Sequence, residues 1–241
     1  ILEMLWIYQA QSNDVRWLKE RNVHIWDEWE IAEDGTWTAT QMLPDGKGNL
    51  QKQQVKKSFG PEWAHTIGTA YGYIVNKFQM TQNLIEKIKH NPTDRRMIMT
   101  LWQDDYIKTA VLPSCVWSSE WDVTDGKLNA FVHQRSCDVP LGLPFNVTQY
   151  ATLLCLLAHC TGLQPGTLDW SIKDAHIYVN QVEGIKEQLN RFAEKGDYPA
   201  PTLWINPEVK DFFRIDSSSE LKDIKIENYR HMGKIAFPIA Q

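Results

Sequence analysis

Gln134-Arg135-Ser136-Cys137-Asp138-Val139-Pro140-Leu141-Gly142-Leu143-Pro144-Phe145-Asn146 is the stretch on which the reading of this chain turns. It gathers an amide, a guanidinium, a hydroxyl and a carboxylate at one strand end and turn, and Gly142 and Pro144 then lead into a helix. Just upstream, Trp117 to Thr124 and Lys127 to Gln134 flank Asp125-Gly126, a two-residue hairpin signal. Just downstream, the run from about Phe145 predicts a long buried helix closed by Gly162, since glycine tolerates the left-handed position that ends helices. Beyond it come a strand near Asp174 to Val179, a helix from about Val182 to Ala193, a Pro-rich link and short strands. On the upstream side, Met80, Leu84, Ile85 and Ile88 share one helical face that stops at Asn91-Pro92, and Met97 to Trp102 reads as a strand. Ser12-Asn13-Asp14 offers an N-cap for a short helix through Glu20. Strands and helices mix without regular βαβ alternation. The expected class is therefore α+β, a single domain over 1–241 with a mixed β-sheet flanked by helices. The stretch from Glu30 to about Gly68 is polar and rich in Gly, Gln and Lys, with Pro44-Asp45-Gly46 as a turn, and reads as a peripheral, mobile insertion.

Chemistry concentrates around the quoted stretch. Leu112-Pro113-Ser114-Cys115 places a cysteine in a Pro-bounded segment at the start of a strand. Arg135 and Ser136 suit an oxyanion such as phosphate, and a guanidinium near Cys115 favours the attacking thiolate. Asn146 carries an acceptor and donors side by side, a match for the O4 and N3–H edge of uracil. The plainer alternative makes Cys115 a small buried hydrophobe and the rest turn and cap residues, with Asn146 capping the helix.

Leu-Pro-x-Cys at 112–115, a short hairpin, then Gln-Arg-Ser-x-Asp-x-x-Leu-Gly-x-Pro-Phe-Asn at 134–146 together resemble the thymidylate synthase family. The resemblance extends over nearly the whole chain. Glu3-Met4-Leu5-Trp6, Val23-His24-Ile25-Trp26-Asp27-Glu28-Trp29, Tyr71-Gly72, Asp94-Arg95-Arg96, Asp174-Ala175-His176-Ile177-Tyr178 and Pro238-Ile239-Ala240 follow in the family's order. It implies a fold that dimerises through its sheet, and reductive methylation of dUMP to dTMP. Cys115 would add to C6 of the uracil ring, and the activated C5 would take a carbon from 5,10-methylenetetrahydrofolate, which also returns a hydride and leaves as dihydrofolate. Glu3 would act as general acid/base through water, and Tyr71 would assist deprotonation at C5. Gln134, Arg135 and Ser136 would line the nucleotide site, Arg135 and Ser136 on the phosphate. Arg95 and Arg96 would reach the partner's phosphate across a homodimer. His176 and Tyr178, two apart on a strand and so on one face, would hold the deoxyribose 3′-hydroxyl. On the folate side the resemblance places Asp138 on the pteridine, Trp26 beside the folate, Gly142, and Ala240 in a C-terminal segment that closes over the ligands.

The chain departs from the family pattern at Val116 (commonly His), Ser114 (often Pro), Lys173 (usually small), Gln181 (commonly His) and Gln241 (usually small and aliphatic). An arginine-bearing upstream loop of the family is expected to precede Ile1. Thirty acidic against 25 basic residues, a net charge of −5, argue against a general nucleic-acid binder. Four cysteines without regular spacing read as free thiols, and the chain as a cytoplasmic enzyme without a targeting segment. The longest apolar run, Tyr150 to Leu163, is broken by His159 and Thr161 and falls short of the ~18 residues of a membrane span. No metal is expected, because His176 lacks ligand partners at suitable spacing. The alternatives are a deoxypyrimidine hydroxymethylase of the same family, or a non-catalytic nucleotide- or RNA-binding homologue. Asn146 and Trp26 speak against the first, and Cys115 against the second.

Overall fold

A computed structural model describes residues 1–45 and 49–239, so Gly46, Ala240 and Gln241, singled out above, lie outside the described residues. The helices are α1 (Leu2–Met4), which runs on as π-helical turns (Leu5–Gln9), α2 (Arg16–Lys19), α3 (Gly72–Lys77), α4 (Met80–His90), α5 (Asp104–Ile107), α6 (Gly142–Thr161) and α7 (Val182–Lys195). The strands are β1 (Thr36–Pro44), β2 (Leu50–Ser58), β3 (Ile98–Thr100), β4 (Val116–Thr124) and β5 (Lys127–Gln134). They continue with β6 (Cys137–Asp138), β7 (Gln164–Ile172), β8 (Ala175–His176), β9 (Thr202–Ile205) and β10 (Ile224–Glu227). By contact the chain divides into two compact units, one of Leu2–Met80 with Leu101–Ser114, the other of Thr81–Thr100 with the residues from Cys115 onward.

In the first unit the apolar opening of the chain buries Met4, Leu5, Trp6, Ile7 and Tyr8. The Trp6 indole N–H donates to the Asp14 carbonyl at 3.0 Å, and the Asp14 carboxylate accepts the Arg16 N–H at 2.9 Å, opening α2. β1 and β2 pair antiparallel from Thr36↔Ser58 to Pro44↔Leu50. Their base is core: Ile31, Trp37 and Val111 form a buried cluster with Trp29, Ala39, Val55, Phe59 and Trp63 packed on it. The far end of the same stretch is also tied in, with Ile67 buried and Gly68 bridged to Ala110. The expected peripheral insertion is thus a paired ribbon rooted in the core of its unit. A two-stranded ribbon needs only one apolar face, and a few anchors spread among polar residues supply it.

The second unit is built on a mixed four-stranded sheet in the order β3-β4-β5-β7, with antiparallel pairs at β3–β4 and β4–β5 and a parallel pair at β5–β7. The β4–β5 turn has Asp125 at φ 51° and Gly126 at φ 73°, the double left-handed geometry that Asp-Gly selects. Parallel β5 and β7 require a crossover, and α6 provides it, packing on both strands. Its side chains from Gln149 to Cys160 are mostly buried, and Gly162 closes it at φ 76°. The helix begins at Gly142, earlier than the expected Phe145, because Pro144 falls in the first turn, where its missing N–H costs nothing. The strand expected over Asp174 to Val179 shrinks to Ala175–His176, which pairs parallel with Cys137–Asp138. Beyond it the Tyr178 N–H bonds to the Gln181 side chain, and the chain turns into a 3-10 segment at Val179–Gln181.

One face of this sheet meets α6 through the Tyr150–Trp170 ring pair, 5.5 Å between centroids. On the other, Ile98, Glu120, Phe131 and Asp169 are register neighbours in one exposed row across four strands. Among the described residues no helix is long and apolar enough to cross a membrane.

Candidate active site

Cys115 stands immediately before β4, opposite the end of β5. The Arg135 N–H donates to the Cys115 carbonyl at 2.9 Å, so the two residues are held together by backbone pairing before their side chains meet. Arg135 Nη2 then lies 3.9 Å from the Cys115 sulfur. A fixed cation at that range stabilises the thiolate relative to the thiol. Cys137, two positions beyond Arg135, is treated in the opposite way. Burial first, then the charges of Asp138 and Cys115, push its thiol up to about 11, against a weaker downward pull from a hydrogen bond to Gln134.

Beside this pair, three side chains form a polarity relay. The Trp170 indole N–H, which can only donate, bonds to Gln134 Oε1 at 3.0 Å. That fixes the buried Gln134 amide with its nitrogen outward, where Nε2 donates to the Ser136 carbonyl at 3.0 Å and to Asn146 Oδ1 at 3.1 Å. The Asn146 amide is oriented in turn, and its Nδ2 can donate elsewhere. Asn146 lies inside α6 and does not cap it, as the plainer reading expected; the first turn receives the Asp138 carboxylate instead, whose Oδ1 accepts the Leu141 N–H at 3.1 Å.

Asp138 Oδ2 accepts from Gln181 Nε2 at 2.8 Å. Ring centroids of His176 and Tyr178 are 4.9 Å apart, edge to face, as their spacing predicts, and His176 Nδ1 is 3.6 Å from Asp174. Burial, and then the charges of Asp138, Cys115 and Asp174, raise the Tyr178 phenol above its ordinary range. Cys115, Gln134, Arg135, Asp138, Asn146, His176, Tyr178 and Gln181 therefore belong to one tract of the second unit. Arg95 and Arg96 are exposed in the turn after α4, where the Arg96 guanidinium bonds to Asp94 at 3.0 Å. Gly142 opens α6, and an added Cβ there would be in ordinary contact with Asn146 Oδ1 and Asp138 Cβ, both at 3.7 Å.

A second constellation lies within the first unit. The Trp26 indole N–H donates to Glu3 Oε1 at 2.8 Å. Trp26 is buried among Trp6, Trp29 and Tyr71, with centroids 6.0, 5.4 and 5.3 Å away. The indole thus holds the Glu3 carboxylate directly and presses edge-on against Tyr71. Tyr71 has φ 47° and ψ −108°, a strained backbone for a residue with a side chain. The following Gly72 is obligatory, since a Cβ there would come within 1.9 Å of the Ser12 carbonyl oxygen. Trp170 went unnoticed in the sequence; its signal was only an inward position on a strand neighbouring Gln134. Among the described residues no three His, Cys, Asp or Glu side chains converge as metal ligands.

The thymidylate synthase family profile matches residues 1–241. The chain belongs to the thymidylate synthase family. Among its relatives, the thymidylate synthase of Clostridium beijerinckii is 44% identical over 241 residues, covering 100% of this chain and 77% of the relative. The thymidylate synthase of Bacillus phage phi3T is 36% identical over 249 residues, covering 100% and 75%. Among solved structures, the thermostable thymidylate synthase A from Bacillus subtilis superposes with a TM-score of 0.78 at 35% identity, covering 99% of this chain and 75% of that one. The family's reaction is the methylation of dUMP to dTMP with 5,10-methylenetetrahydrofolate, and these relatives favour it over the hydroxymethylase alternative. The family is typically dimeric.

Proposed function

We propose that this chain methylates dUMP reductively to dTMP with Cys115 as the covalent nucleophile, in the cytoplasm and as a homodimer. The observation that carries the reading is the 3.9 Å approach of Arg135 to the Cys115 sulfur beside an amide whose polarity is fixed. The thiolate forms a bond to C6 of the uracil, and the electron pair of the 5,6 double bond moves to C5 and the O4 oxygen. Asn146 Nδ2, aimed by the relay from Trp170, donates to O4 as charge develops there. Arg135 and Ser136 hold the nucleotide phosphate, Arg95 and Arg96 add to it from the partner, and His176 with Tyr178 takes the 3′-hydroxyl. Tyr71 receives the C5 proton, and Glu3, held by Trp26, moves protons at O4 through water. An ionised carboxylate has about four lone-pair sites. Asp138 therefore still has acceptor capacity for a pteridine N–H after its bonds to Leu141 and Gln181, with Gly142, which brings no side chain, beside it. When bound, the folate supplies the one-carbon unit and the hydride. Elimination of the Cys115 thiolate restores the double bond.

Release of tritium from 5-tritiated dUMP, followed with dihydrofolate formation, tests this. Cys115→Ala should lose about four orders of magnitude or more in turnover while still binding dUMP. Turnover at the parent rate from Cys115→Ala would end the proposal.

A further inference from the structure

Gln181 stood out in the sequence only as a departure, and the roles above leave it unused. We infer that Gln181 is a positioning residue: one buried amide that sets the Asp138 carboxylate and fastens the C-terminal segment at Pro238. The inference rests on the folate-side reading of Asp138. Gln181 is 1% exposed. Its Nε2 donates to Asp138 Oδ2 at 2.8 Å and to the Pro238 carbonyl at 3.3 Å, and its Oε1 accepts the Tyr178 N–H at 3.1 Å. A carboxylate and a carbonyl can only accept, and a backbone N–H can only donate. The amide can therefore face one way only, and its two hydrogens and one oxygen are all engaged. Glutamate in its place would offer an acceptor to two acceptors. An imidazole has two nitrogens for three partners.

The helix that Gln181 leads into, α7, carries the rest of the segment, which is the independent support. At Gly184, in the first turn of α7, an added Cβ would fall 2.5 Å from the Phe237 ring, so the absence of a side chain is what seats Phe237. Further along, Arg191 Nη1 donates to the Met232 and Gly233 carbonyls, both at 3.0 Å. Gln181, Gly184 and Arg191 thus form a rail on which residues 232–238 lie. Gln181 is the point where that rail meets Asp138. Loosening it disturbs the folate-side acceptor and the closing segment together, while Cys115, Arg135 and Asn146 keep their own partners and only the Tyr178 backbone N–H among the dUMP-side groups loses one.

The full-length chain with Gln181→Leu, Gln181→His and Asp138→Ala tests this. We measure KM for 5,10-methylenetetrahydrofolate, Kd for dUMP alone, and the rate at which carboxypeptidase trims the C-terminal segment. Gln181→Leu should raise the folate KM about tenfold, leave the dUMP Kd within about twofold, and speed trimming. Gln181→His keeps a donor for Asp138 and should recover much of the folate KM, which a purely structural role does not predict. If Gln181→Leu matches the parent in folate KM and trimming while Asp138→Ala raises the KM, the inference is overturned and the reading of Asp138 stands. If Asp138→Ala leaves the folate KM unchanged, that reading falls and the inference falls with it.

Discussion

Cys115 and Cys137 lie on neighbouring segments of one unit, yet their surroundings treat charge on sulfur in opposite ways. Cys115 faces a guanidinium at 3.9 Å, whereas Cys137 is 1% exposed, with its thiol pushed up to about 11. Cys160 is likewise pushed up to about 11, chiefly by burial. At pH 8 a thiol with that pKa is roughly one part in a thousand thiolate, and that fraction rises only as pH climbs toward 11. Brief iodoacetamide treatment at pH 8 should therefore label Cys115, with Cys137 and Cys160 unmodified by peptide mass mapping until the chain unfolds. Labelling of Cys137 first would contradict the assigned nucleophile. The amide relay gives a second expectation at this scale. Asn146→Asp puts an acceptor where O4 needs a donor, so kcat/KM should swing toward dCMP by about 10- to 100-fold relative to dUMP. Trp170→Phe removes the donor to Gln134 Oε1, so the Ser136 carbonyl alone must hold the direction of the amide and the Asn146 contact loosens. It should erode the same selectivity by a few-fold without touching any group in contact with the base.

The β1–β2 ribbon separates burial from composition at the scale of the element. Trp37 is 5% exposed in the cluster with Ile31 and Val111, and its indole N–H donates to the Glu28 carbonyl at 2.8 Å. Gln51 and Gln54, farther along β2, are exposed. Trp37→Ala should cost about 3–5 kcal/mol in urea unfolding, and Gln51→Thr or Gln54→Thr should stay within about 0.5 kcal/mol. A peripheral insertion would show no such contrast. The pairing and the packed base of this ribbon are not legible in the sequence because its anchors are sparse among Gln, Lys and Thr, and average polarity hides an alternating face. The β4–β5 hairpin was legible to within one residue, since Asp-Gly imposes its own turn geometry and both strands alternate around it. The α6 terminus at Gly162 was equally plain, but its start was not, because a proline in the first turn looks like a boundary. Of the candidate site, short motifs made Cys115, Arg135, Asp138 and Asn146 legible as candidates, and the structure brings them into one tract. The contacts that orient those groups were not, because Trp170–Gln134 and Gln181–Asp138 join residues that only the sheet register and the α6 crossover bring together.

At the scale of the whole molecule, the sheet face turned away from α6 needs an explanation. Ile98 is 51% exposed, Phe131 40% and Trp117 38%, with the His133 ring 5.4 Å from Trp117 and 4.5 Å from Phe131. Apolar and aromatic side chains on an open sheet face are costly in water and are what a symmetric partner would cover. In such a dimer each active site can borrow groups from the other chain, which is the role proposed for Arg95 and Arg96. Borrowing has a consequence that covering alone lacks. Cys115→Ala dimers and Arg95→Ala/Arg96→Ala dimers should each be nearly inactive, the first without a nucleophile and the second without the partner's cations. When the two variants are unfolded together and refolded as an equal mixture, half the dimers pair one of each. In every mixed dimer one site has Cys115 from the arginine variant and both arginines from the cysteine variant, and the other site has neither. One good site in half the dimers gives about a quarter of parent turnover. If the arginines serve their own chain instead, every site in the mixture lacks something and no activity returns. Recovery near a quarter, lost again when Phe131→Asp blocks pairing, would tie the exposed sheet face to the shared phosphate site. Failure to recover, with mixed dimers demonstrated by mass, would show that the arginines do not serve the partner's site.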